Sequence, residues 1–172
     1  EKTSELIWKK SDNGDPLYLE FLGNVWTAKD VDLESLSSLP QGRYGLLARQ
    51  WETLGEKDEE GLCRILGLLS EIKEYGSDSL LSSILNEPLS SVRKKLWGLN
   101  NLLRYEGSSY TISHPVVRDY IRAQFHPKDR KEFHHAMIGY YQHDTTDKPI
   151  PKRLRNEALQ NLAYHYYHAH DW

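Results

Sequence analysis

The chain has 172 residues with 38% hydrophobic, 27% charged and 11% aromatic side chains. That is enough apolar material for one ordinary domain or two to three small ones, and it excludes disorder throughout. The net charge of -3 is split between -6 over residues 1 to 60 and +3 over the remainder, which lacks the concentrated basic face of a duplex binder. A single cysteine, Cys63, excludes an intrachain disulfide and fits a reducing, cytoplasmic compartment. No apolar run approaches the roughly 18 residues that a membrane span needs, and no signal-peptide pattern opens the chain. It begins at Glu1 rather than Met and ends at Trp172 inside an amphipathic pattern, so a piece of a longer protein is expected.

Residues 4 to 10 read as the end of a helix, stopped by the turn formers SDNGD at 11 to 15. Asp15-Pro16 is then an N-cap followed by proline at the first helical position. Leu17, Phe21, Leu22 and Val25 give that second helix a buried stripe. The polar stretch VDLESLSSLPQG leads to a third helix from Tyr44, with Leu47, Trp51 and Leu54 on one face. The acidic GEKDEEG segment that follows is the expected boundary.

From Gly61 a denser unit begins. Leu62, Ile65, Leu66, Leu69 and Ile72 form a strong helical stripe, and Gly76 is placed as the C′ glycine ending it. Ser77 to Leu85 predicts a second helix and Pro88 to Leu103 a third, with Val92, Leu96, Leu99 and Leu103 facing inward. LLRYE and SYTIS around Gly107-Ser108 predict a β-hairpin. Three helices and a hairpin are the winged-helix order, in which the third helix is the recognition helix of DNA-binding members. His114-Pro115 opens a further helix, which Pro127 ends. Two more are expected over about 128 to 143, burying Phe133, Met137 and Tyr140, and over 151 to 171, with Leu154, Ala158, Leu162 and Tyr166 on its stripe. Ala163 and Ala169 beside that stripe suit the close helix pairing of superhelical repeats.

Phosphate-loop, dinucleotide, zinc-protease and nucleophile-elbow motifs are absent, so no autonomous enzyme is expected. His165 and His168 lie three apart with His134 and His135 one helix earlier. Zinc would need three or four converging ligands, which this spacing does not guarantee, so ordinary packing and surface histidines are expected. Arg93, Lys94 and Lys95, followed by Asn100, Asn101 and Arg104, are the cations and amides a DNA-binding helix would use. A solvated or docking face is the alternative, and Trp97 points toward packing. Gly14-Asp15-Pro16 is a tight turn entering a helix. His114 stands between a strand and a helix N-terminus, where an imidazole can meet an anion that the helix dipole favours.

In this order, NGDPLYLEFL, LSSLPQGRYGLLARQWETL, YTISHPVVRDYI and RNEALQNLAYHYYHAHDW resemble the region after the nucleotide-binding core of STAND-class signalling NTPases, the AAA+-related group that contains NACHT and NB-ARC proteins. The resemblance spans nearly the whole chain. It implies a mainly α fold with a small β-hairpin: a helical lid and linker over 1–56, a winged-helix domain over 57–126, and the start of a superhelical, TPR-like arm over 127–172. It also implies that Pro16 lies against the adenine of a bound nucleotide, that Gly14 allows the turn, and that His114 reaches the phosphates in a closed, ADP-bound form. NB-ARC proteins carry Asp after this histidine, whereas Pro115 follows it here, which resembles the NACHT or bacterial STAND subgroup.

The implied function is a nucleotide-state-dependent signalling switch. Its cofactors, ATP or ADP with Mg²⁺, would bind only in the full-length protein, and none is expected on the fragment. The implied partners are the upstream nucleotide-binding core, downstream helical repeats, and a protein ligand or self-oligomer on activation, with neither DNA nor membrane among them. The alternative is a winged-helix DNA-binding transcription regulator.

Overall fold

A computed structural model of the chain describes residues 2–26, 37–56, 61–73, 75–146 and 152–169. The described residues form nine helices and three strands, a mainly helical fold with a small antiparallel sheet. The chain divides into two compact units, Glu1–Glu60 and Gly61–Trp172.

The first unit holds α1 (Lys2–Lys10), α2 (Pro16–Trp26) and α3 (Gly42–Glu56). Asp15 caps α2 by accepting a hydrogen bond from the Tyr18 N–H at 3.0 Å, as an N-cap carboxylate should. Leu17, Phe21 and Leu22 of α2 are buried with Leu46 and Leu47 of α3, but the most buried large side chain is Tyr18, which the apolar stripe did not include. Its hydroxyl donates to the Pro40 carbonyl at 2.8 Å, so the ring can enter the core without leaving a polar atom unpaired. Helix α3 begins two residues before the expected Tyr44. Val25 is outside the residues whose side chains are described, as is the first half of the serine-rich stretch, residues 31–36.

In the second unit α4 (Leu62–Glu71) is buried on almost every side, from Ile65 through Ile72, so it is the central helix of that unit. It is followed by β1 (Gly76–Ser77), α5 (Asp78–Leu85), α6 (Leu89–Gly98), β2 (Leu103–Glu106) and β3 (Ser109–Ile112). Then come α7 (Pro115–Ala123), α8 (Pro127–Thr146) and α9 (Lys152–Ala169). The sheet order is β1-β3-β2, with Gly76 opposite Tyr110 and Leu103 opposite Ile112. Helix α4 packs against β3, α7 and α8, and α8 packs along α9. Among the described residues no helix is long and apolar enough to cross a membrane.

Four sequence expectations are corrected here. Gly76 is not a helix cap: Ile72 already leaves α4 in an extended conformation, and Gly76 is the first residue of β1. It is glycine because a Cβ there would lie 2.6 Å from Ile72 Cδ1 and 2.9 Å from Leu69 Cδ2, inside contact distance. Helix α6 ends at Gly98, and Leu103 is buried as the first residue of β2 instead of the last turn of a helix. Pro127 starts α8 in addition to following α7, since proline at a first helical position loses no hydrogen bond.

The fourth correction concerns α9. Its buried line passes through Ala158, His165 and Ala169, whereas Leu162 and Tyr166 are only half-buried and Ala163 is exposed. A histidine therefore occupies the inner face that the apolar pattern had assigned elsewhere. Gly67 of α4 faces the corner between α7 and α8: a Cβ would meet Phe133 at 2.6 Å and Phe125 at 2.8 Å. Those rings pack edge to face, with centroids 5.2 Å apart, and hold α4 close to the start of α8.

Candidate functional site

The expected contact residues fall in both units: Gly14 and Pro16 in the first, His114 in the second. Gly14 ends a run of three left-handed residues, Asp12, Asn13 and Gly14, with φ of 50°, 65° and 89°. Ser11, fully buried, organises this turn. Its hydroxyl donates to the Trp8 carbonyl and accepts from the Gly14 N–H at 3.0 Å, while its carbonyl accepts from the Asp15 N–H at 2.8 Å. A Cβ on Gly14 would sit 2.6 Å from the Trp8 ring, so both φ and space require glycine. Asp15 is fixed a second time by an ion pair with Arg43. The turn thus presents Pro16, which is exposed, from a rigid base. Trp8, Leu19 and Tyr44 of the same unit are also exposed.

His114 follows β3 and caps α7 with its own ring: Nδ1 accepts from the Val116 N–H at 3.2 Å. Because Nδ1 is an acceptor there, the hydrogen of the neutral imidazole is on Nε2. His114 is half-buried, so the site combines a helix N-terminus with one ring N–H that the cap does not use. Arg118, one turn later, ties this helix to the core by donating to the Ile72 carbonyl at 3.1 Å and to the Thr111 hydroxyl at 2.8 Å.

The cations of α6 are partly engaged within the protein. Arg93 pairs with the buried Asp78 at 2.7 Å, and Lys95 pairs with Glu87 at 2.8 Å. Trp97 does not pack as expected: it is 77% exposed, as Tyr105 on β2 is 67% exposed.

The strongest polar cluster was not foreseen. Glu71, the last residue of α4, is 1% exposed. Arg130 of α8 donates to one carboxylate oxygen, while Arg122 of α7 at 3.4 Å and His134 Nε2 at 3.2 Å reach the other. His134 Nδ1 lies 2.9 Å from His165 Nδ1 on α9. His168 stacks on His134 with ring centroids 5.3 Å apart, and Tyr141 stacks on His165 at 5.9 Å. Burial alone would raise the Glu71 pKa, but the hydrogen bonds from His134 and Arg130 and the charges of Arg122 and Arg130 overcome it and hold the carboxyl at about 2. Burial, then the neighbouring His134 and His168, lower His165 to about 3. One signal for this cluster was present in the sequence: Glu71 is the single acid in LCRILGLLSE, and a lone carboxylate in a fully buried helix requires cationic partners.

This geometry partly separates the histidines considered together as metal ligands. His134 and His165 meet, His168 stacks on His134, and His135 is exposed. Among the described residues no group of three or more His, Cys, Asp or Glu is arranged to hold a metal ion. No family model, curated protein or solved structure matches this chain.

Proposed function

We propose that the chain is the regulatory region of a cytoplasmic STAND-class NTPase, a nucleotide-state-dependent switch. In this reading residues 1–56 are the helical lid and linker, 57–126 a winged helix, and 127–172 the start of a superhelical arm that receives a signal or partner. ATP or ADP with Mg²⁺ is held by an upstream core of the same protein, which supplies the phosphate loop and the chemistry of hydrolysis.

The observation that carries this reading is the hydrogen-bond state of His114. Its cap uses Nδ1 and leaves the ring hydrogen on Nε2, the state required to donate to a phosphate oxygen at a helix N-terminus. The exposed Pro16 on its rigid turn is a suitable apolar contact for a purine face. If the region contacts ADP and ATP unequally, the state with the better contacts is stabilised by that nucleotide, and exchange shifts the balance.

Two measurements test the proposal. Calorimetry of the 172-residue chain with ATP and Mg²⁺ is expected to show neither micromolar binding nor turnover, because two contacts leave the triphosphate largely unsatisfied; either result would count against it. In the full-length protein, His114→Ala should weaken ADP retention by roughly tenfold to a hundredfold, the worth of one charge-assisted hydrogen bond. His114→Asn keeps a cap but shortens the reach. Wild-type ADP affinity in that variant removes the phosphate role.

The runner-up is a winged-helix DNA-binding regulator, favoured by the exposed Lys94 and Trp97 on α6 and opposed by the intramolecular pairs of Arg93 and Lys95. It requires salt-sensitive duplex binding that survives competition by random duplex at physiological salt.

A further inference from the structure

The contact between His134 and His165 can be solved for protons from its geometry. Glu71 is ringed by Arg122 and Arg130, so as a carboxylate it only accepts, and His134 Nε2 must donate to it. That leaves His134 Nδ1 facing His165 Nδ1 across 2.9 Å, with room for one hydrogen between them. The docked pair can take one extra proton, because either ring can own the shared hydrogen. It cannot take two: both rings as cations would set two N–H groups against each other.

Other charged groups do not relieve this restriction. From α4 the facing acid is Glu71, reached through His134 and already met by three donors. From α7 come the cations Arg118 and Arg122, from α8 Arg130 and the neutral Tyr141, and from α9 Tyr164 and His168. His165 itself is 1% exposed. A proton added to it therefore meets a buried site beside His134 and His168 and, among the described residues, no acid nearer than Glu71.

We propose that the His134–His165 contact is an acid-released clasp that holds α9 on α8. Once undocked, both imidazoles take protons with midpoints near 6.5, one proton more than the docked pair accepts. The undocked state binds the extra proton, so docking weakens as pH falls, about tenfold per unit below roughly 6.5. The excluded proton belongs to His165, whose burial carries its titration down to about 3. The folded Glu71 keeps its charge down to about 2, and its contribution to stability begins to fall only below its unfolded value of 4.5. Between about 6.5 and 4.5, acid loosens α9 while the α4 node is intact. This inference is independent of the nucleotide reading and fails or survives without it.

Amide hydrogen exchange of the 172-residue chain at pH 7.5 and 5.5, corrected for intrinsic exchange, tests the clasp. The α9 amides from Ala158 to Ala169 should lose about tenfold in protection relative to those of α5; equal protection at both pH values overturns the proposal. His165→Gln keeps a hydrogen-bonding partner that does not titrate and should reduce the loss to less than about threefold, whereas an unchanged tenfold loss overturns it. If that variant fails to dock α9, the wild-type ring decides through its ¹⁵N shifts. His165 neutral at pH 5.5 in the docked state supports the clasp, and half-protonation near 6.5 with α9 still protected overturns it.

Discussion

The turn from Trp8 to Tyr18 and the node on Glu71 are both polar networks, but they are built over different distances. In the turn, the side-chain hydrogen bonds of Ser11 and Asp15 to the backbone join residues three apart, and longer ties to Pro40 and Arg43 are added from outside it. In the node they join residues 31 and 59 apart. Between the buried Ser11 and Tyr18, the turn residues from Asp12 to Pro16 are exposed or half-buried, so losing a bond there, such as the Asp15 cap, costs about the net worth of that bond. In the node the Glu71 carboxylate is buried while Arg122 and Arg130 are partly exposed, so breaking it up leaves a buried charged or polar group without its partners, which costs several times more. Distance along the chain and access to solvent therefore rank these networks by consequence.

Breaking the node should give the largest effect. Glu71→Ala leaves Arg122, Arg130 and His134 without their shared carboxylate and should destabilise the second unit by about 3–5 kcal/mol in urea unfolding. Glu71→Gln keeps the shape and should cost less than the alanine variant.

The next largest effect is acid sensitivity. The folded Glu71 carboxyl, at about 2 against 4.5 when unfolded, binds fewer protons than the unfolded chain between those values. Its contribution is complete above pH 4.5 and is lost as pH falls toward 2, about 3 kcal/mol in all at ~1.4 kcal/mol per unit. Acid unfolding monitored by circular dichroism should show this loss in the wild type and lack it in Glu71→Gln.

The turn should yield less. Gly14→Ala places a Cβ at positive φ and against the Trp8 ring, for an expected cost of about 1–2 kcal/mol. Asp15→Ala removes the cap on Tyr18 and the Arg43 pair, at about 1 kcal/mol. Thermal melts that rank either turn variant beside Glu71→Ala would refute the distinction between the two networks. The smallest change, about 1 kcal/mol, is expected for Arg93→Gln, because Arg93 is itself exposed and glutamine keeps a hydrogen-bond donor for the buried Asp78 carboxylate.

The same distinction governs what could be read in the sequence. Asp15-Pro16 and His114-Pro115 were legible as helix starts because a cap is satisfied by residues two or three positions away. The α4 stripe was legible because periodic apolar residues mark the same face whatever covers it. The strand β1 was not, because its two residues Gly76 and Ser77 acquire strand character only by pairing with Tyr110 and Ser109. Of the candidate contact residues, Gly14 could be recognised from its turn. The proton position on His114 needed the distance from Nδ1 to the Val116 N–H.

By itself, the sequence determined where the main helices and the hairpin lie, and most of the apolar positions that enter the core. Those features depend on neighbours within a few residues, where periodicity, caps and turn glycines act. Only the tertiary structure decided that Glu71 belongs inside, that α9 turns His165 inward, and that Trp97 remains exposed. A polar side chain is stable in a core only if its partners arrive there with it. For Glu71 they arrive from α7 and α8, and for His165 from α8, over separations that no local pattern encodes.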